Sequence, residues 1–346
     1  MTIVEVTAAG RSAHEMLDAA RHTVEPTLRA AVGTLPASMA RMAGYHFGWW
    51  DEYGTAVRAG GGKALRPALV LAAAKTVGCT GPDAVPAAAA VELVHNFSLV
   101  HDDVIDGDET RRHRETVWKV FGASPAILAG DALLMLALDV LAHCEHPATP
   151  QAMRTLGATV MELLDGQSAD LAFESLSNVD LSECLTMAEL KTGALLGSAC
   201  ALGGLYGGAT APQLGHLTAF GRQLGLAFQH VDDLLGIWGD PTVTGKPVFS
   251  DLRNRKKSLP VVAALTSGTP AGDELSQLYH RERPLTEAEL NRAAQLVDLA
   301  GGRDWSQDQA DDLLVRALHD LHACAAQNRA DADLTALAQL VVQRDR

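Results

Sequence analysis

The sequence is poor in aromatic residues, and its cysteines follow no pattern. Phe, Trp and Tyr make up only 5% of the 346 residues, and the abundant alanine, leucine and valine favour helix over sheet. No two cysteines have C-x-x-C spacing, which excludes the common zinc and redox motifs of that form. We therefore expect reduced, buried thiols in a reducing compartment. The five cysteines are Cys79, Cys144, Cys184, Cys200 and Cys324.

Positive charge is also scarce. The chain carries 28 Lys and Arg against 42 Asp and Glu, for a net charge of −14. This balance argues against non-specific nucleic-acid binding, which needs clustered Lys and Arg on the surface. The first residues lack the basic and apolar regions of a secretory signal. We expect a cytoplasmic protein whose acidic residues can recruit a divalent metal.

Alternation typical of strands is missing too. No stretch alternates apolar and polar residues with a period of two, whereas helical periodicity recurs along most of the chain. The sequence therefore predicts an all-α protein of about ten to thirteen helices. We expect a single domain over residues 1–346, with residues 1–12 as a flexible lead-in.

One uncharged run is long enough to suggest a membrane span. Residues 192–211 carry no charge over 20 positions. Six of these residues are glycines, and the run ends in Ala211-Pro212. We therefore expect a buried, closely packed helix and its turn, and no membrane span.

Two acidic motifs stand out. The first is HNFSLVHDDVIDGD at residues 95–108, and it places Asp102, Asp103 and Asp106 at one end of a predicted helix. Like charges at such close spacing are unfavourable unless a cation lies between them, and oxygen ligands of this kind suit a Mg²⁺ ion that also binds substrate phosphates. Taken alone, the motif could equally be a solvated acidic helix end. A second acidic pair, Asp232 and Asp233, lies later in the chain.

Each acidic motif shares its helix face with other polar side chains. His95 lies on the face of the first motif, about two turns away, and Gln229 lies one turn before Asp232. A lone histidine at such a position is often an ordinary core residue. If the two helices face each other, however, their carboxylates can hold Mg²⁺ ions bridged by a diphosphate.

Basic residues lie next to these motifs. The segment GGGKALRP at residues 60–67 leads from a glycine loop into a predicted helix, an arrangement that favours anion binding. It is not a Walker A loop, because Ala64 stands where Ser or Thr is needed. Each basic residue alone could be an ordinary surface charge. The candidates for phosphate binding are Lys63, Arg66, Arg111, Arg112, Lys191 and Lys246.

Eight segments between residues 61 and 260 together resemble the trans-polyprenyl diphosphate synthases, in the order expected of that family. They are GGKALRP, ELVHNFSLVHDDVID, RR, GDALL, GQSADL, KTGALL, FQHVDDLLG and GKPVFSDLRNRKKSLP. The chain is most similar to the short-chain geranylgeranyl diphosphate synthases of the family. The resemblance implies the isoprenoid synthase fold, a helical bundle around a central cavity, and a homodimer.

The resemblance also implies roles for individual residues. About three Mg²⁺ ions per active site would bind Asp102, Asp106 and Asp232, with support from Asp103 and Asp233. The allylic diphosphate would bind Arg111, Lys191 and Lys246. Isopentenyl diphosphate would bind Lys63, Arg66, His95 and Arg112. Gln229 and Thr192 would line the reaction space.

The reaction implied by the resemblance is a head-to-tail condensation. Diphosphate leaves the allylic substrate once metal and Arg or Lys neutralise its growing charge. The isopentenyl double bond attacks the resulting carbocation, which survives only between apolar walls that exclude water. A proton is then lost.

The sequence departs from the family pattern at two places. Gly236 stands where the second motif usually has a third aspartate, and Asp240, one turn further on, is no obvious replacement. The arginine pair continues as RRHRE, where many members have RRG. The loss of a carboxylate leaves two alternatives open, a terpene cyclase on the same fold or a non-catalytic regulatory subunit of a synthase.

Product length rests on two residues before the first motif. Phe97 lies five residues before Asp102 and Ser98 lies four before. In the family this combination resembles enzymes that make the C20 product. Helix geometry places Ser98 near the carboxylate face and Phe97 toward its flank, so Phe97 could also be simply a core residue.

Overall fold

The computed structural model describes residues 12–57, 62–79, 81–241, 248–325 and 331–343. The first helices are α1 (Ala13–Gly33), α2 (Ala37–His46), α3 (Leu65–Thr76), α4 (Val85–Ile105), α5 (Val117–Phe121), α6 (Ala123–Ala142) and α7 (Thr149–Ser175). The later ones are α8 (Leu181–Ala188), α9 (Ala194–Tyr206), α10 (Ala211–Trp238), α11 (Ser250–Arg253), α12 (Leu259–Leu265), α13 (Pro270–Tyr279), α14 (Glu287–Leu299), α15 (Gly302–Ala325) and α16 (Ala332–Val342). A 3₁₀ turn, Pro82–Ala84, precedes α4, and a π-helical segment, Glu189–Gly193, joins α8 to α9. The all-α prediction is confirmed.

The first described residue belongs to a helix rather than to a lead-in. Ser12 is the N-cap of α1, where its backbone N–H donates to Glu15 Oε2 at 2.7 Å and its hydroxyl accepts from the Glu15 N–H at 3.2 Å. This reciprocal capping box satisfies two backbone donors at the helix start. The predicted flexible lead-in therefore extends no further than residue 11, and residues 1–11 lie outside the described part of the chain.

A small hairpin departs from the expectation of no strands. Strand β1 (Thr110–Arg111) pairs antiparallel with β2 (Arg114–Glu115). Arg112 and His113 form the two-residue turn with φ of 51° and 61°, as a type I′ turn requires. The strands are too short to show alternation in the sequence. This turn bears on the departure RRHRE, where many family members have RRG. His113 stands at the position of that glycine and has a positive φ, a backbone conformation that glycine adopts at the lowest energetic cost.

Two central helices organise the core. In α4, residues 87–91 are completely buried, and the helix packs against α1, α3, α6 and α9. Helix α10 packs against α9 and α15. The short alanine side chains of α4 let its neighbours approach closely, so the far end of the helix, which carries the first acidic motif, is held rigidly.

The uncharged run is a buried helix, as expected. Nearly every residue of α9 is buried, and a Cβ on Gly203 would collide with the carbonyl of Val70 on α3. Glycine is thus needed where α3 and α9 touch. A different helix, α6, is long and apolar enough to cross a membrane by length and composition, with a mean hydropathy of 1.9. One such helix is weak grounds for a span, because core helices pass the same test.

The described cysteines are free, and three of the five are buried as expected. Cys184, Cys200 and Cys324 are buried, whereas Cys79 and Cys144 are half-buried. Burial raises the pKa of Cys200 above its ordinary value. A buried thiol of this kind behaves as a small apolar residue rather than as a nucleophile.

A half-buried histidine, His46, connects α2 to α4. The Asn96 side-chain N–H group donates to the Glu92 carbonyl at 2.8 Å, which leaves Asn96 Oδ1 to accept from His46 Nε2 at 3.0 Å. His46 therefore carries its proton on Nε2. Burial, reinforced by the positive charge of Arg112, lowers the pKa of His46 to about 3. The side chain stays neutral in the folded protein at pH values where it would be protonated in the unfolded chain.

We predict that His46→Gln reduces the loss of stability in mild acid. Because the pKa is lowered on folding, only the unfolded chain takes up this proton as the pH falls from 6.5 toward 3, and stability is lost over that window. For the wild type this group should cost about 2 kcal/mol between pH 7 and pH 5. Glutamine can also donate to Asn96 and does not titrate. Urea unfolding of wild type and variant at both pH values measures the difference.

The matched control is His143→Gln, at an exposed histidine, which should reproduce the wild-type dependence on pH. A His46→Gln protein that loses as much stability as the wild type between pH 7 and pH 5 would contradict the assignment.

Candidate active site

A cavity of about 490 Å³ lies between the two acidic motifs. One wall comes from α3, α4 and the hairpin, and the other comes from α7, the π-helical segment and α10. The structure thus brings together motifs that are far apart in the chain. The predicted site residues that line the cavity are Lys63, Arg66, His95, Ser98, Asp102, Arg111, Arg112, Lys191, Thr192, Gln229, Asp232 and Asp233.

The first acidic motif lies at the C-terminal end of α4. Asp106 is the C-cap residue, and its N–H group donates to the Asp102 carbonyl at 2.8 Å. This end of a helix carries partial negative charge, so carboxylates are unfavourable here without a nearby cation. Burial raises the pKa of Asp102, opposed by Lys191 and reinforced by Asp106. Burial also raises the pKa of Asp106. The α4 wall is therefore suited to bind positive charge.

Asp103 does not face the cavity with its neighbours. It is 1% exposed, and its Oδ1 accepts from Arg111 Nε at 2.7 Å. Burial raises the pKa of Asp103 to about 6 against the opposing effect of Arg111. Adjacent helical residues point about 100° apart, which turns Asp103 away from Asp102. The sequence prediction grouped it with the carboxylates that support the metal, but here Asp103 positions Arg111 on the cavity wall.

The π-helical segment supplies Lys191 and Thr192 to the opposite wall. A π-helical turn inserts an extra residue into the helix, and such turns are frequent at functional sites. Lys191 Nζ donates to Asp170 Oδ2 at 2.5 Å. A Cβ on Gly166 would lie 2.5 Å from Lys191 N, so glycine lets α7 approach this segment. Asp170 was not among the predicted site residues, although its segment GQSADL was part of the resemblance.

A chain of hydrogen bonds fixes the second acidic motif. Thr192 Oγ1 donates to Gln229 Oε1 at 2.6 Å, and Gln229 Nε2 donates to Asp233 Oδ1 at 2.7 Å. Asp233 Oδ2 accepts from the Leu259 N–H at 2.8 Å. Burial raises the pKa of Asp233 to about 7, against the positive charge of Lys256. Asp233 is thus a buried support, whereas the neighbouring Asp232 is exposed to the cavity.

Lys256 is a cavity residue that the sequence analysis missed. Burial alone would lower the pKa of Lys256, but the carboxylates of Asp233 and Asp251 outweigh burial and raise it. The ammonium group is therefore charged at any physiological pH. Lys256 belongs to the basic stretch RNRKKS, which was a usable signal. Lys246, which the sequence analysis selected instead, lies outside the described residues.

A second basic group lies on the α3 side of the cavity. Lys63 and Arg66 flank the start of α3, where the backbone of Ala64 has a φ of 52°. Arg112 reaches Gly62 so closely that a Cβ there would lie 2.6 Å from its Nη2. This part of the wall concentrates positive charge at a helix N-terminus, which suits a phosphate group.

His95 and Glu92 complete this basic group. Burial, followed by the charges of Arg66 and Arg112, lowers the pKa of His95 well below its ordinary value. His95 is therefore a neutral hydrogen-bonding group. Burial raises the pKa of Glu92 against Arg66. Glu92 was not among the predicted site residues, although it is the first residue of the segment ELVHNFSLVHDDVID that was part of the resemblance.

The carboxylates fit a metal that is shared with a ligand. In the described part of the chain, no three His, Cys, Asp or Glu side chains converge closely enough to hold a metal by themselves. Asp102 and Asp106 lie on one wall and Asp232 lies on the other. Mg²⁺ usually keeps several waters and binds one or two carboxylates together with substrate phosphates. The arrangement therefore suits Mg²⁺ ions that a diphosphate bridges.

The two residues before the first motif have different surroundings. Phe97 is 3% exposed and packs edge-on against His101, with ring centroids 4.8 Å apart. Ser98 lines the cavity, and its hydroxyl donates to the His95 carbonyl at 2.8 Å. The apolar lining of the cavity comes from Leu99, Leu163, Met187 and Phe228.

Comparison with known proteins agrees with this geometry. The family model for polyprenyl synthetase matches residues 49–297, which is more than half of the chain. The chain belongs to the polyprenyl synthetase family. The resemblance to the trans-polyprenyl diphosphate synthases is thereby confirmed, and the chain is a trans-prenyltransferase.

Similar proteins cover nearly the whole length of this polyprenyl synthetase. A (2E,6E)-farnesyl diphosphate synthase of Mycobacterium bovis is 45% identical over 332 residues, covering 95% of this chain and 92% of its own. A geranylgeranyl diphosphate synthase of Mycobacterium tuberculosis is 45% identical over 331 residues, covering 95% and 93%. The crystal structure of a polyprenyl synthetase from Streptomyces coelicolor superposes with a TM-score of 0.91 at 46% identity, covering 95% of this chain and 99% of that one.

We predict that Gly225→Ala damages the polyprenyl synthetase site by separating its walls. A Cβ at this position of α10 would lie 2.6 Å from Gly193 Cα and 3.1 Å from the Thr192 carbonyl. Overpacking of this kind should cost about 1–3 kcal/mol of stability. It should also lengthen the hydrogen bond between Thr192 and Gln229, and so lower prenyl transfer. Urea unfolding and turnover measure the two effects.

The control is Gly215→Ala on the same helix, where a Cβ meets nothing within 4 Å. This change should stabilise the helix by about 0.5–1 kcal/mol and leave turnover unaltered. If the two substitutions behave alike, contact between α10 and the π-helical segment does not control the site.

Proposed function

We propose that this polyprenyl synthetase is a Mg²⁺-dependent enzyme that condenses isopentenyl diphosphate with an allylic diphosphate, head to tail. The observation that carries the proposal is one cavity with facing acidic motifs and two separate basic groups. Two basic groups suit two diphosphates, and the carboxylates suit metals on one of them. A short-chain product, geranylgeranyl diphosphate, is part of the proposal.

The basic residues divide between the substrates by position. Arg111, Lys191 and Lys256 lie near the acidic motifs and hold the allylic diphosphate, together with Lys246 by resemblance alone. The group on the α3 side holds isopentenyl diphosphate. Its members are Lys63, Arg66, His95 and Arg112. His95 adds a hydrogen-bonding imidazole to this group.

The chemistry follows from charge and from the exclusion of water. Bound Mg²⁺ would neutralise the diphosphate as its bond to the allylic carbon breaks. Lys191 and Lys256 add fixed positive charge at the leaving group. Electrostatic stabilisation of the developing negative charge is strong there because the site is partly buried. Thr192 and Gln229 present a hydroxyl and an amide whose orientations are locked by their mutual hydrogen bond. The apolar lining around Phe228 protects the carbocation from water.

We predict that Asp102→Asn lowers kcat by about 10²-fold or more, because it removes a charged metal ligand while keeping the side-chain shape. Purified protein is incubated with Mg²⁺, isopentenyl diphosphate and each of the C5, C10 and C15 allylic diphosphates, and the dephosphorylated alcohols are sized. Asp298→Asn, at an exposed position on α14, is the control and should turn over normally. Wild-type protein that elongates no primer would refute the synthase.

The same assay separates the alternatives. A terpene cyclase forms a hydrocarbon or alcohol from one prenyl diphosphate without isopentenyl diphosphate, and a regulatory subunit turns over only with a partner. The α3-side basic group speaks against both, because neither needs a second diphosphate site. Turnover by the protein alone, dependent on isopentenyl diphosphate, supports the synthase.

We predict that the wild type makes a C20 product and that Ser98→Phe shortens it. Ser98 lines the cavity, so a phenyl ring there would occupy space that the growing chain needs. The length distribution of the alcohols measures the effect. Ser182→Phe, on the exposed surface of α8, is the control and should not alter it. An unchanged distribution in Ser98→Phe would place the end of the product elsewhere.

We also propose a homodimer that covers an apolar face of α6 and α7. Leu128 and Met135 are 53% and 62% exposed on α6, and Met161 is 67% exposed on α7. The two helices pack against each other. Leu128 and Met135 are seven residues apart and so share a helix face. Exposed apolar faces of this kind mark protein interfaces.

We predict that Met135→Glu converts the dimer into a monomer, because it places a charge in an apolar interface. Light scattering after size exclusion measures the mass. Val315→Glu changes a residue on α15 that is also 67% exposed and should leave the dimer intact. A Met135→Glu protein that stays dimeric would move the interface away from α6.

One domain over residues 1–346 and a cytoplasmic location complete the proposal. Free cysteines in all five positions suit a reducing compartment. Fractionation of the cells that express the protein tests the location.

A further inference from the structure

Gln167 on α7 is a buried amide that lines the cavity between the acidic motifs. The residue is 8% exposed, and neither its Oε1 nor its Nε2 is hydrogen-bonded to any group in the described part of the chain. A buried amide in this state costs free energy, whereas an apolar side chain of similar size would not. The cavity wall therefore holds a polar group that is available to a ligand.

The other glutamine of the cavity is already bonded within the protein. Gln229 Oε1 accepts from Thr192 Oγ1 at 2.6 Å, and Gln229 Nε2 donates to Asp233 Oδ1 at 2.7 Å. Both ends of that amide are used to fix the second acidic motif. Gln167 differs because both ends of its amide are available.

Gln167 lies one helical turn away from the charged part of the site. Leu163, Gln167 and Asp170 share one face of α7 and line the cavity. A second cavity of about 660 Å³ adjoins the first, since Asp170, Lys191 and Lys256 line both, whereas Gln167 and Leu163 line the first and not the second. Three helical residues span about 4.5 Å. Gln167 is thus placed between the groups that suit a diphosphate and the apolar lining that suits a hydrocarbon chain.

Close packing fixes the backbone at this position. A Cβ on the preceding residue, Gly166, would lie 2.5 Å from Lys191 N and 2.9 Å from Lys191 Cα, so α7 touches the π-helical segment directly. On the same face of α7, Asp170 Oδ2 accepts from Lys191 Nζ at 2.5 Å. The Gln167 side chain therefore starts from a defined place beside the lysine that we assign to the allylic diphosphate.

We propose that Gln167 is a catalytic residue whose amide oxygen faces the reacting carbon and stabilises its positive charge as the allylic diphosphate ionises. The proposal rests on the prenyl transfer proposed above. The bond between C1 of the substrate and the diphosphate oxygen breaks, and both electrons leave with the diphosphate. The positive charge that remains is shared by C1 and C3 of the allylic group. The partial negative charge of Oε1 opposes this charge without forming a bond, and the attraction is strong because the amide is buried.

Gln167→Leu tests the proposal, because it keeps a side chain of similar volume and removes the amide. The single-turnover rate constant with isopentenyl diphosphate and the C10 allylic diphosphate, measured by rapid quench, should fall about 10²-fold. The KM values of both substrates should stay the same, since the interaction forms only as charge develops. Loss of a buried amide without a partner should also raise the unfolding temperature.

Two further variants complete the experiment. Gln167→Glu keeps the shape of the side chain and a carbonyl oxygen, and at saturating substrate its rate should exceed that of Gln167→Leu. Gln277→Leu makes the same change at an exposed position on α13, and it should leave the single-turnover rate constant and both KM values unaltered.

The results that contradict the inference are distinct. Gln167→Leu that reacts at the wild-type rate would show that the amide does not act on the reacting carbon. If the variant loses stability and activity together, or loses activity only through a higher KM, Gln167 supports the wall or binds diphosphate instead. When Asp102→Asn is inactive and Gln167→Leu is fully active, this inference fails alone. Wild-type protein that elongates no primer overturns the proposed function as well.

Discussion

Electrostatic repulsion between two acidic walls is the constraint on which the site depends, and two lysines oppose it. Lys191 bonds to Asp170 at 2.5 Å and lowers the pKa values of Asp102 and Asp106 that burial raises. Lys256 acts in the same way on the α10 side. A charge held in a partly buried site interacts more strongly than one in water. The lysines therefore stabilise the two acidic walls where they face each other.

An irregular helical turn places Lys191 on the cavity wall. A regular α-helix presents one residue in three or four to a given neighbour, whereas the π-helical turn brings both Lys191 and Thr192 into the lining. This turn has room only because Gly166 and Gly225 lack a Cβ on either side of it. The reaction space thus depends on close backbone contacts among α7, α10 and the π-helical segment, more than on the apolar core that surrounds them.

Periodicity and composition were sufficient to predict the all-α fold and the buried uncharged helix, whereas they left the meeting of the two acidic motifs as one possibility that the family resemblance then favoured. They could not predict what depends on contacts between distant segments. Asp103 was expected to support the metal ligands, and its partner became visible only with the hairpin, which places Arg111 beside it. The hairpin is too short to show a strand pattern in the sequence. Asp170 and Lys256 lay within segments that carried the family resemblance. Their roles became visible only when packing placed them beside Lys191 and Asp233.

Gly236 shows that the role of a sequence motif cannot be judged without the contacts that its residues make with distant segments. A side chain at this position would need the space that the carboxyl group of Asp251 occupies, so a larger residue at 236 would require the Asp251 side chain to move. The absent aspartate therefore gives no reason to favour a cyclase or an inactive subunit, since the wall it belongs to is still acidic. What differs is the structural element that holds the carboxylate in position. A carboxylate on α10 would be fixed by a long helix, whereas Asp251 is held by the few hydrogen bonds that dock α11.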